Sequence, residues 1–310
     1  MVRPPGRCDR LIRKPRSSIE LPAKAGRRVC PIDAVHGRRE PALPDRTISP
    51  LVDIHCHILP GMDDGAATWA EALAMAEVAH ADGIRTVVAT PHQLGVYAGN
   101  RAEAICQRAA ELADRVAQRG IGLEVLPGAD VRVSADLVAQ IRRGEVLTLA
   151  GRGRHVLLEL PPDVALPLEG LLRELRQAGL VGILSHPERN VAIMRHPEII
   201  RPWVAAGCLI QVTAASLCGE FGSRVQGFCR WLVLRGLVHF VATDAHSAHS
   251  RAPRLRQAFQ RVETLAGRRM AAACCSENPA QVVQGRDVSA QGRRRTRSFW
   301  PLWMSWRKAG

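Results

Sequence analysis

From Leu51 onward the chain repeats one pattern: a short apolar, β-branched run ends on a polar side chain and leads into a stretch with apolar positions three to four apart. The runs at 51–55 (LVDIH), 85–90 (RTVVAT), 123–127 (LEVLP), 155–160 (HVLLEL), 181–186 (VGILSH), 208–213 (CLIQVT) and 238–243 (VHFVAT) are predicted strands. Between them, amphipathic helices are predicted over about 69–81, 101–119, 167–178, 197–206, 223–235 and 253–266. The first is opened by Thr68 with Glu71 three residues on, the spacing of a capping box. Glycines at 83, 120, 179, 207, 236 and 267 supply stops. Strand alternating with helix implies a parallel sheet. Strands that are almost unbroken apolar runs are buried on both faces, so seven of them fit a closed or nearly closed barrel better than the alternative, an open doubly wound sheet. In such barrels chemistry sits at the C-terminal ends of the strands.

Composition divides the chain without changing that picture. The 310 residues, 46% hydrophobic, suffice for one barrel-sized domain, here 49–287. Residues 1–48 are rich in Pro, Arg and Gly and lack apolar periodicity, the pattern of a basic, disordered extension or of an over-long gene start. Residues 288–310 form a basic tail in which RRRTR is followed by FWPLWMSWRK, with three of the six tryptophans. Such a tail suits contact with an anionic membrane surface, or is an unstructured extension. The net charge of +14 belongs to the ends, +7 in residues 1–50 and +6 in 286–310, leaving +1 between them. A near-neutral centre argues against a surface that tracks nucleic acid, where affinity comes from neutralising phosphates. Nine cysteines without a C-x-x-C pair fit a reducing compartment. With no apolar run of membrane-spanning length and no signal peptide, a cytoplasmic protein is expected.

The polar residues at the strand ends change the picture most. They are His55, Cys56 and His57, then Thr90 and His92, Asp130, Glu159, Ser185 and His186, Thr213, and finally Asp244 and His246. His55 and His57 are two apart on an extended segment, so both side chains leave one face while Cys56 points the other way. Asp244 and His246 repeat that spacing, and Asp63-Asp64 lies in a Gly-flanked loop able to fold a carboxylate over the site. Imidazole and carboxylate without thiolate suit Mn, Fe or Zn, and there are more ligands than one tetrahedral ion takes, which implies two or three ions. Sites of this kind activate water for phosphate-ester hydrolysis. Arg189 and Arg251 are candidate phosphate clamps, since guanidinium forks bind phosphate oxygens two at a time. His80, His155, His196, His239 and His249 are expected to be structural or exposed.

Read in order, HCHILPGMDDG, ATPHQLGVY, LPGADVR, LLELPP, ILSHPERN, CLIQVTAASL and VATDAHS resemble the PHP (polymerase and histidinol phosphatase) superfamily over roughly residues 50–287. Within it the chain is similar to the bacterial protein-tyrosine phosphatases of capsular and exopolysaccharide gene clusters. The resemblance implies a distorted TIM-like (β/α)7 barrel of the PHP type, with a three-metal, manganese-dependent site that dephosphorylates a tyrosine kinase of polysaccharide assembly. It further implies in-line attack on phosphorus by a hydroxide held on metal, with no phosphoenzyme. Carried over by motif, His55, His57 and Asp244 hold one ion, Asp130 bridges it to a second completed by Glu159 and His186, and Asp64, His92 and His246 hold the third. Arg189 and Arg251 match the phosphate-binding arginines. The family commonly has Glu where this chain has Asp130, so a shorter arm has to bridge the same ions. Two other functions compete. One is a PHP phosphatase of small phosphomonoesters, histidinol-phosphate-like, or of nucleic-acid ends; the other is a binding module that works through its basic termini.

Overall fold

The computed structural model describes residues 49–288, so the N-terminal extension, and the C-terminal tail with its membrane-contact reading, lie outside the described residues. Nine short strands run through it: β1 (Leu51–Cys56), β2 (Ile84–Ala89), β3 (His92–Gln93), β4 (Glu124–Pro127), β5 (Asp130–Arg132), β6 (His155–Glu159), β7 (Val181–Leu184), β8 (Leu209–Thr213) and β9 (Phe240–Ala242). Every pairing between them is parallel, in the orders β1-β2-β4 and β3-β5-β6-β7-β8-β9.

Nine strands occupy seven positions. Thr86 to Ala89 pair with Glu124 to Pro127, and His92 and Gln93 pair with Asp130 and Val131 in the same register, so β2–β3 and β4–β5 are one ladder broken in the middle. The break falls at Thr90–Pro91 on one strand and Gly128–Ala129 on the other. Proline cannot donate to a ladder, and a Cβ on Gly128 would sit 2.7 Å from Val88 Cγ1. Asp130 N–H still reaches Pro91 O at 3.1 Å, which carries the pairing across. On the far side β9 runs into β1: Asp244 N–H donates to His55 O and His57 N–H to Ala245 O, both at 2.8 Å. This seam closes the curled sheet into the distorted parallel barrel expected from the sequence.

Helices pack outside where their apolar stripes dictate. Helix Trp69–Asp82 starts at Thr68, whose hydroxyl accepts from Glu71 N–H, and ends at Gly83, whose φ of 100° lets its N–H turn back to Ala79 and His80. Helix Glu169–Gln177 lies close on β7 because Gly182 has no side chain; a Cβ there would be 2.7 Å from Leu158 Cδ1 and 3.2 Å from Leu175 Cδ1. The core joins Val52 and Ile54 of β1 to Val88, Leu157, Ile183 and Phe240 from strands around the curve. Val282 and Val283, from the helix Asn278–Val283, join that cluster. His155 and His239 are buried, and burial lowers each to about 4, in keeping with neutral structural roles. Among the described residues no helix is long and apolar enough to cross a membrane.

Candidate metal centre

The strand ends converge as their chemistry required. His55 and His57 leave one face of β1 and meet with Nε2 atoms 3.1 Å apart. Cys56 between them is fully buried on the other face, and burial pushes its thiol well above the usual range. Asp244 Oδ1 lies 3.4 Å from both Nε2 atoms. Asp130 stands opposite, 3.6 Å from His55, 3.5 Å from His92 Nδ1 and 3.9 Å from His186. Asp64 Oδ1 is 3.5 Å from His92 Nε2 and 3.5 Å from His246 Nε2. The structure thus brings all nine sequence-chosen ligand candidates into one recess.

Their grouping differs in part from the motif-based one. Four sets offer ligand atoms that lie close together: His57, Asp64, His92 and His246; His55, His57 and Asp130; His55, His186 and Asp244; and His92, Asp130 and Glu159. The Asp64–His92–His246 set is as expected, with His57 added. Asp130 belongs to two sets, the position of a bridging carboxylate. Glu159 and His186 fall into separate sets, because Glu159 Oε2 turns to His92 Nδ1 at 3.4 Å and to Arg132 at 3.1 Å, while the His186 ring lies beside His55, tilted, with centroids 5.5 Å apart.

Outer contacts prepare these side chains for cations. His55 Nδ1–H donates to Gln211 Oε1 at 3.0 Å, His57 Nδ1–H to Asp63 Oδ2 at 2.6 Å, and His246 Nδ1–H to Asp244 O at 2.9 Å. Each bond fixes the tautomer that leaves the Nε2 lone pair facing the cluster, the arrangement that makes imidazole a metal ligand. Two such lone pairs at 3.1 Å repel unless a cation or a proton lies between them. Both carboxylate oxygens of fully buried Asp130, and His92 Nδ1, have no hydrogen-bond partner. Buried polar atoms are ordinarily satisfied, so orphans gathered at one point fit divalent ions. Burial opposes charge on His57, yet hydrogen bonds to Asp244 and Asp63 lift it to about 10, whereas Asp244, despite its burial, is held far below the carboxylate range by the surrounding imidazoles.

The backbone is strained where the site needs it. His186, Asp244 and Arg251 have φ of 31°, 50° and 52°, a region that costs a non-glycine residue roughly 1–3 kcal/mol. Arg189 and Arg251 both donate to Asp244 Oδ2, the latter at 2.7 Å, and the Arg189 guanidinium carbon lies over the Phe221 ring, 5.0 Å from its centroid. They border a cavity of about 260 Å³ that also contains Asp64, Glu159 and His246.

Four contributors were not chosen from the sequence. Gln211 and Asp53 are buried polar residues inside apolar runs of β8 and β1; Asp53 accepts from Thr243 N–H at 3.0 Å and His55 N–H at 3.3 Å, tying β1 to the end of β9. Asp63 was seen only as Asp64's neighbour, yet besides orienting His57 it accepts from His92 N–H at 2.9 Å. Arg132 closes the LPGADVR motif and holds Glu159. Gly65 keeps the loop of Asp63 and Asp64 tight, since a Cβ there would lie 2.1 Å from His57 O and 2.5 Å from His57 Cβ. Gly65→Ala is therefore expected to displace this loop, lowering kcat on the order of 10²-fold together with the melting temperature; an unchanged kcat would refute the close approach.

Two C-x5-R spacings, Cys218 to Arg224 and Cys229 to Arg235, build no thiol-phosphatase loop. Cys218 ends one helix and Arg224 lies in the next; Cys229 is inside the helix Ser223–Leu234 that Arg235 caps. Burial pushes Cys218 up to about 11 and Cys229 well above the usual thiol value, the reverse of what a nucleophile needs.

A parallel barrel of the PHP type with imidazoles and carboxylates converging at its strand ends defines a class of metal-dependent enzyme. The chain belongs to the family described as Capsular polysaccharide synthesis, CpsB/CapC, which it matches over residues 51–284. It is 39% identical over 203 residues to tyrosine-protein phosphatase YwqE of Bacillus subtilis, covering 65% of this chain and 79% of that protein. To tyrosine-protein phosphatase CpsB of Streptococcus pneumoniae it is 24% identical over 239 residues, 75% of this chain and 98% of that one. Among solved structures, one from the crystal structures of YwqE from Bacillus subtilis and CpsB from Streptococcus pneumoniae, called unique metal-dependent tyrosine phosphatases, superposes with a TM-score of 0.74. It is 33% identical, and the match covers 77% of this chain and 96% of that one.

Proposed function

We propose that this chain is a metal-dependent protein-tyrosine phosphatase whose substrate is a tyrosine kinase of capsular or exopolysaccharide assembly. The observation that carries the reading is the juxtaposition of the nine-residue cluster with Arg189 and Arg251, both seated on Asp244 at the edge of the recess. His55, His57, Asp64, His92, Asp130, Glu159, His186, Asp244 and His246 would hold the ions, two or three by the ligand count and three manganese ions by the family resemblance. When bound, divalent ions supply Lewis acidity and lower the pKa of water.

The chain's own groups do the rest. Gln211, Asp63 and the Asp244 carbonyl hold three imidazoles in the ligating tautomer. Arg189 and Arg251 are placed to transfer hydrogen bonds from Asp244 Oδ2 to equatorial phosphoryl oxygens, stabilising the charge that grows there. Phe221 supports the Arg189 guanidinium. Cys56, buried with its thiol raised well above the usual range, takes no part, so no phosphocysteine intermediate is needed.

The test is hydrolysis of a phosphotyrosine peptide, a phosphoserine peptide and histidinol phosphate by the manganese-loaded protein and by His57→Ala. Preference for phosphotyrosine that vanishes in the variant is the expected result. Preference for the small phosphomonoester would sink the protein-substrate reading.

A further inference from the structure

The turn after β3 takes no part in the cluster, yet it is firmly built. Leu94 and Gly95 have φ of 70° and 57°; Tyr97 N–H donates to Leu94 O at 3.0 Å and Asn100 N–H to Tyr97 O at 2.9 Å. Asn100 Nδ2 ties the turn to Met62 O and His92 O, each at 2.8 Å. Gly95 lies against Arg132, whose Cγ would be 3.3 Å from a Cβ at that position. A leucine held in the left-handed region is a cost that such bonding has to sustain, and strain of this sort gathers at functional loops.

The turn displays two side chains. Val96 is 92% exposed, a large apolar residue in open solvent next to Tyr97 in the turn. Tyr97, the chain's one tyrosine, is half-buried and stacks on His92 with ring centroids 5.2 Å apart and planes 15° apart. Below them the recess is ionic, lined by Asp64, His92, Arg132, Glu159, Arg189 and Arg251 among others, and His55, His57 and Asp130 at its base are fully buried. A phosphoryl group borne on a polypeptide reaches such a base only on a long arm, whereas a small free phosphate ester enters whole. Phosphotyrosine puts a ring's length between phosphorus and its own backbone, and that ring then has to lie at the mouth. Phe221, which lies beside Arg189, has one face covered by that guanidinium.

We propose that Val96 and Tyr97 form the platform that receives the substrate's phenyl ring and so set a preference for aryl over alkyl phosphates; this rests on the phosphotyrosine reading above. Offset stacking on Tyr97 and apolar contact with Val96 supply the selectivity, while the cluster beneath treats any phosphoryl group alike.

The experiment compares kcat/KM for a phosphotyrosine peptide and for glycerol 2-phosphate in the metal-loaded full chain, with Tyr97→Ala, Tyr97→Phe and Val96→Ser, following bound metal and melting temperature for each. Tyr97→Ala is expected to lower the peptide value about tenfold, through KM, while the alkyl phosphate changes by less than about twofold and metal content holds. Tyr97→Phe keeps the ring and stays near the wild type; Val96→Ser falls between. Parallel loss on both substrates, loss of bound metal, or no loss at all in Tyr97→Ala overturns the platform. A wild type without preference for the aryl substrate overturns the phosphotyrosine reading as well, whereas a preference that survives Tyr97→Ala removes the platform alone.

Discussion

Chelating the bound ions is expected to abolish phosphotyrosine hydrolysis and to lower the melting temperature by roughly 5–10 °C, with both restored by a divalent cation. The reasoning is linkage. A ligand present at about 100 times its dissociation constant stabilises the folded state by about 2.7 kcal/mol, and one kcal/mol shifts a domain of this size by about 2–4 °C. Cations would relieve the crowding among His55, His57 and Asp244, whose Nε2 and Oδ1 atoms lie within 3.4 Å of one another. Differential scanning calorimetry before and after chelation checks the shift. A melting temperature indifferent to metal would mean that the cluster does not bind it.

The second large effect is expected at Asp130. Its side chain is fully buried, neither oxygen has a hydrogen-bond partner, and it faces His55, His92 and His186 at 3.6, 3.5 and 3.9 Å. Asp130→Asn keeps the shape and removes the charge that joins two of the ligand sets. Bound metal per chain should fall by at least one ion, and kcat by on the order of 10³-fold. Asp130→Glu, which restores the residue common in the family, should recover metal content and bring activity within about tenfold of the wild type. Elemental analysis beside kcat decides the matter: full metal loading in Asp130→Asn would remove Asp130 from the bridging position.

The barrel was legible because its signal is long-range and redundant. Seven apolar runs, six of them with a ligand candidate at or within three residues of their ends, survive local errors, whereas the break at Thr90–Pro91 leaves β3 only two residues long, too short for any periodicity. Helices Val191–Arg195 and Ala214–Cys218, each five residues, escaped for the same reason. At the site, first-contact residues were visible as residue types at strand ends. The groups that orient them were less so: Gln211 in LIQVT and Asp53 in LVDIH break apolar runs, a signal that a buried polar side chain has a partner, but the partner depends on tertiary structure. The positive φ of His186, Asp244 and Arg251 leaves little mark in the sequence: Asp and His enter that region more often than most non-glycine residues, but the great majority of them lie elsewhere, and Arg gives no signal. The same limit explains why the motifs assigned Glu159 and His186 to one ion while the geometry separates them: Arg132, which draws Glu159 aside, enters only once β5 and β6 are paired.

The seam between β9 and β1 has a consequence for how the protein is born. His55 and His57 emerge early in translation, while Asp244 and His246, which lie beside them across the seam, come near the end of the barrel. A growing chain therefore carries an incomplete ligand set for most of its synthesis and gains full affinity only as its last strand docks on its first. Ions held by the cluster would join the two ends of the barrel, and a chain truncated after residue 243 would keep seven of the nine ligand candidates but lose the pair across the seam, Asp244 and His246.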